Sequence, residues 1–134
     1  MSGIAPASNE QAAKLRQQWF DEARQAGLGE PYLVKRYQSR YPWRAQLEVR
    51  VPTPDGRVET YVAAARNISV TGLQFHSRHN IGLYTQAEVC TAGESVGVPV
   101  VVRHQTPTVS GFLVGAEFCD QVGPARRAQG FSAA

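Results

Sequence analysis

The stretch R-A-Q-L-E-V-R-V-P, Arg44 to Pro52, decides how this chain is read. Ala45, Leu47, Val49 and Val51 fall on one face at period two, with Gln46, Glu48 and Arg50 opposite, which is the pattern of a half-buried strand. T-P-D-G-R follows. Pro54 fixes its own φ and Gly56 tolerates a positive one, so V-E-T-Y-V-A-A-A returns as the second arm of a hairpin. Further strands are expected in T-G-L-Q-F-H, Q-A-E-V-C-T, V-G-V-P-V-V-V-R-H and S-G-F-L-V-G-A-E-F. Six short strands separated by turns predict a small antiparallel barrel or sandwich.

Upstream the period changes. Ser8 and Gln11 stand at capping-box spacing, Ala12, Leu15, Trp19, Ala23 and Ala26 recur at helical spacing, and Gly27 closes the run. This predicts an amphipathic helix of about five turns. Trp19 and Phe20 need a surface to cover, either on the same domain or on a partner. A G-L-G-E-P linker follows, and Pro31 makes it hard for the helix to continue.

The whole chain sets bounds on this reading. Its 134 residues fit one domain, and 43% hydrophobic with 19% charged residues excludes the disordered and collagen-like classes. No apolar run approaches the roughly 20 residues of a membrane helix, and M-S-G-I-A-P-A-S lacks the basic and hydrophobic regions of a signal peptide, so a cytoplasmic protein without a membrane span is expected. Cys90 and Cys119 lie far apart in strand-like surroundings and are expected as buried, reduced thiols. They form no zinc pattern with His76, His79 or His104, and no metal or cofactor is expected.

The formal charge of +3 makes an anionic partner more plausible without naming it. Local clustering is more informative. In K-R-Y-Q-S-R-Y-P-W-R, Lys35, Arg36, Arg40 and Arg44 are interleaved with Tyr37, Tyr41 and Trp43. Such a segment can hold phosphates and stack planar groups on its rings; the plainer reading is a solvated basic linker whose aromatics cover the edge of the core. A second polar cluster, N-I-S-V-T-G, sits where the hairpin's second arm gives way to the strand at Leu73 to His76. Asn67 offers a donor and an acceptor, Ser69 a hydroxyl, and Gly72 a positive φ or room for a flat ligand. The same residues also make side-chain-stabilised turns with no ligand at all. Asn67 to Ser69 matches a glycosylation sequon formally, which the absence of a secretion signal discounts.

Together these residues resemble the PilZ domains, bacterial receptors for cyclic di-GMP. That family carries R-x-x-x-R just before its first barrel strand and [D/N]-x-S-x-x-G entering a later one. Here R-Y-P-W-R supplies Arg40 and Arg44, and N-I-S-V-T-G supplies Asn67, Ser69 and Gly72. V-G-A-E-F, Val114 to Phe118, looks like the strand that ends the family's barrel. The resemblance covers about Ser39 to Asp120. It implies a mainly β, six-stranded antiparallel barrel over 39–120, preceded by the helix and linker of 1–38 and followed by a tail or short helix at 121–134.

The resemblance also implies a ligand, cyclic di-GMP, and a site made of Arg40, Arg44, Asn67, Ser69 and Gly72, with Arg36 and Trp43 as accessory positions. Arginine suits both parts of that ligand, because its fork bonds a phosphate or the edge of guanine and its plane lies against a purine. Arg36 with Arg40 forms a second R-x-x-x-R, but Arg44 adjoins the first alternating strand and is preferred. Two departures bear on the ligand. Asn67 stands where Asp is commoner in the family, and Ser39 stands where some members have an arginine associated with a stacked ligand pair, so one ligand molecule is expected. Ligand binding to the linker arginines would reorient the amino-terminal helix and report occupancy to an effector protein. A ligand-free interaction domain is the alternative. A nucleic-acid-binding barrel ranks below it, so no nucleic acid polymer is expected as partner, and nothing in the chain assigns catalytic residues.

Overall fold

The computed structural model describes residues 9–26 and 40–119. Helix α1 spans Asn9–Ala26, and seven strands follow: β1 Tyr41–Pro42, β2 Gln46–Pro52, β3 Val58–Ile68, β4 Gly72–Ser77, β5 Gln86–Thr91, β6 Val98–Thr108 and β7 Gly111–Phe118. The strands neighbour one another in the order β1-β3-β2-β5-β6-β7-β4, all antiparallel, and β4 pairs back onto β3. Six strands therefore close a barrel, and β1 is a short seventh beside β3. Closure leaves no long unpaired sheet edge. Arg36 and the expected tail at 121–134 lie outside the described residues.

The alternation seen in the sequence builds the interior. Leu47 and Val49 of β2, Ala87 and Val89 of β5, and Val98, Val100 and Val102 of β6 are all fully buried, together with Phe75 and Val114. The hairpin turn forms as expected: Gly56 has φ 87°, its N–H donates to the Thr53 carbonyl at 3.0 Å, and Arg57 pairs with Asp55 at 2.9 Å. α1 packs against β1, β3 and β6. Trp19 and Ala23 are almost fully buried there and Phe20 is 8% exposed, whereas Ala26 is exposed.

Three features differ from the sequence expectation. Residues 41–42, placed ahead of the first expected strand, pair with β3 (Tyr41 with Ile68, Pro42 with Asn67), and Trp43 donates its N–H to the Arg66 carbonyl at 3.0 Å. β3 runs on to Ile68 and carries a bulge between Ala65 and Asn67. Ala63 and Ala65 point inward; the extra residue, Arg66, shifts the phase so that Ile68 is buried and Asn67 is not. Finally, Cys90 is buried as expected but Cys119 is only half-buried, because it follows the last strand.

On the far side of the barrel, Glu88 and Cys90 alternate with inward-facing Ala87 and Val89, yet both are buried. The connection after β5 passes close to Glu88 at Gly97. Arg50 donates to the carbonyls of Glu94 at 2.8 Å and Ser95 at 2.9 Å, holding that connection down, and pairs with Glu48 at 3.1 Å. Burial raises the Glu88 carboxyl above its ordinary pKa, with the Arg50 charge opposing, and burial likewise raises the Cys90 thiol.

Candidate functional site

Pairing of β1 with β3 sorts the side chains of R-Y-P-W-R onto two sides. Trp43 is 5% exposed and stacks on Trp19 with centroids 5.2 Å apart and planes at 29°. Tyr41 meets Phe20 edge-on at 5.5 Å. Arg40, Pro42 and Arg44 are exposed. The aromatics thus grip the helix while the arginines face outward. Trp43, an accessory position in the sequence reading, is turned away from the exposed face because Trp19 already covers its ring.

The bulge brings the second polar cluster to the arginines. Asn67 faces outward beside β1, and Arg40 Nη1 donates to its Oδ1 at 3.4 Å, across 27 positions of sequence. Asn67 Nδ2 donates to Gln74 Oε1 of β4 at 2.7 Å, so both ends of the amide are engaged. Gln74 was not singled out from sequence; its cross-strand register with Asn67 exists only once the bulge is in place. The 3.4 Å contact is long for a hydrogen bond, and an incoming acceptor would displace it readily.

Ser69 and Gly72 have local uses. Ser69 is 4% exposed; its N–H donates to the Gly72 carbonyl at 2.8 Å, and its Oγ accepts the Thr71 N–H at 3.2 Å. This is a side-chain-braced turn. Gly72 has no positive φ, contrary to one expected reason for it. A Cβ there would lie 2.3 Å from the Ala116 carbonyl oxygen, so the glycine permits close approach of β4 to β7.

Arg44 opens onto a groove along the outer surface of β3, lined also by Arg66, His76, Arg78, His79 and the run Thr60 to Ala65. Arg44, Arg66 and Arg78 make no ion pair among the described residues. His76 Nε2 lies 3.1 Å from Ser110 Oγ, and the Tyr61 and His79 rings are 5.2 Å apart. Among the described residues, no group of three or more His, Cys, Asp or Glu side chains is placed to hold a metal ion, and no helix is long and apolar enough to cross a membrane.

No family model matches the chain, and no curated protein does. Among solved structures it is similar to the K. pneumonia MrkH–c-di-GMP complex, at 17% identity and a TM-score of 0.48. The similarity covers 64% of this chain and 44% of that one, so the chain spans less than half of that protein's length.

Proposed function

We propose that this protein is a PilZ-type receptor for cyclic di-GMP, with Arg40, Arg44 and Asn67 as its ligand-contacting residues. The observation that carries the reading is the contact of Arg40 with Asn67, which joins the two motifs at one place on the barrel wall. An arginine fork, an amide with a donor and an acceptor, and a second exposed arginine four residues on match a ligand of two phosphates and two guanines. Ser69 and Gly72 shape the turn beside it. On this reading Arg36 adds a further charge, and one ligand molecule binds per domain.

Output follows from the alternation in R-Y-P-W-R. Drawing Arg40 and Arg44 onto a ligand moves a backbone whose intervening rings hold Trp19 and Phe20, so occupancy reaches α1 within one short segment. The effector protein then reads the helix. Calorimetric titration with cyclic di-GMP, with linear pGpG and GTP as controls, tests the receptor; hydrogen exchange in α1 with and without ligand tests the transmission.

A second reading is an interaction barrel of the same fold that binds no nucleotide. Trp43, Ser69 and Gly72 favour it, since each has a structural task in the unliganded chain. It predicts no selective heat in that titration.

A further inference from the structure

We infer that the outer groove of β3 is a docking surface for an acidic, extended peptide segment of a partner protein. Its rim is cationic: Arg44 and Arg66 stand at one end and Arg78 at the other, and among the described residues no carboxylate lines it. The adjoining acids already have partners, and only Glu48 has a cationic one. Glu48, opposite Val62 in β2, is paired with Arg50, and Glu59 accepts the Tyr61 hydroxyl at 2.8 Å. Three guanidinium groups with no ion pair among the described residues, on a groove that no described carboxylate lines, are complementary to an anionic chain.

The floor selects the kind of anion. It is aliphatic: Val62 is 59% exposed and Ala64 is exposed beside it on the same face of β3. Single-stranded nucleic acid needs ring faces on which to stack, and here the Tyr61 ring is half-buried and tilted against His79. A peptide with acidic and small apolar side chains in alternation satisfies both surfaces. An extended chain repeats its facing side chains roughly every 6.6 Å, the spacing of Val62 and Ala64 along β3. The chain's own segments outside the described residues do not fit, since 1–8 carries no acid, 120–134 carries Arg126 and Arg127 against one acid, and 27–39 carries Lys35 and Arg36 against one acid. The surface exists whether or not the barrel binds a nucleotide. Arg44 is common to both sites, so on the receptor reading ligand and peptide compete for it.

The test is fluorescence anisotropy of the full chain with a labelled peptide of alternating glutamate and valine, against a lysine–valine peptide and an oligothymidine strand. Saturable binding of the acidic peptide is expected, weakened about tenfold or more by Arg78→Glu and by Arg66→Glu and unchanged by Arg57→Ala in the distant hairpin turn. Circular dichroism checks that each variant folds. Equal binding by Arg78→Glu and wild type overturns the proposal, as does no peptide binding or tighter binding of the oligonucleotide. Concentration-dependent dimers seen by sedimentation and abolished by Arg78→Glu also overturn it, by making a second copy the occupant. Cyclic di-GMP titrated into Arg78→Glu separates the two readings: normal heat with lost peptide binding supports the groove, and no heat even with wild type sinks the receptor alone.

Discussion

Trp43 stacks on Trp19, so the residue between two exposed basic positions of the barrel entry is the seat of the amino-terminal helix. Phe20 on Tyr41 and the Arg16 guanidinium 5.4 Å from the Phe118 ring centre add to this link between helix and sheet.

Replacing either tryptophan with alanine is expected to destabilise the protein by about 3–5 kcal/mol, the usual range for deleting a large buried ring. The double variant should be less damaging than the sum, by about 0.5–1.5 kcal/mol for the lost ring–ring term. Urea denaturation of all four proteins measures this. Strict additivity would mean that the rings touch without coupling.

Gly72→Ala is expected to cost about 1–3 kcal/mol without any ligand present, because the added methyl group meets the Ala116 carbonyl. The loss should appear as a lowered melting temperature of the unliganded chain. An unchanged melting temperature with lost dinucleotide binding would return the glycine to the ligand site.

Arg40→Ala, Arg44→Ala and Asn67→Ala are each expected to weaken cyclic di-GMP binding roughly ten- to a hundred-fold; the two arginine variants should leave the melting temperature nearly unchanged, and Asn67→Ala should lower it by the loss of the Gln74 hydrogen bond. Arg40 and Arg44 are exposed, and Asn67 sits at the barrel surface. Calorimetry reads the affinities. Undiminished binding by all three variants would rule out this face as the site.

Glu88 supplies a pH signature. Its folded pKa lies above the ordinary value of 4.5, because burial disfavours the charged form, so the folded protein holds this proton more tightly than the unfolded chain. Its stabilising contribution is complete below about 4.5 and is lost as pH rises through the folded pKa. Glu88→Gln should therefore raise the melting temperature at neutral pH and flatten its dependence above 4.5. A variant less stable than wild type at neutral pH would show that the Arg50 charge outweighs burial.

Much of the barrel was legible because its strands obey period two: Q-A-E-V-C-T is β5 residue for residue, and T-P-D-G-R forms the turn it predicts. β1 was not, because two residues carry no periodicity and its pairing depends on where β3 runs. The bulge at Arg66 was equally hidden, although the apolar Ile68 falling out of phase with Ala63 and Ala65 was a trace of it. Trp43 shows why composition stalls at a site. A ring between arginines reads alike whether it stacks on a ligand or on a helix, and only the packing of Trp19 decides.

The close approach of β4 to β7 at Gly72 bears on how such sequences are sorted into receptors and non-receptors. Gly72 serves the approach of β4 to β7 and Ser69 its turn with no ligand present, so on the receptor reading neither letter by itself tells a binding chain from a non-binding one. Exposed Arg40 carries no comparable folding duty, whereas Asn67 also ties β3 to Gln74 of β4. On the receptor reading, Arg40 is therefore the position at which binding and folding part most cleanly.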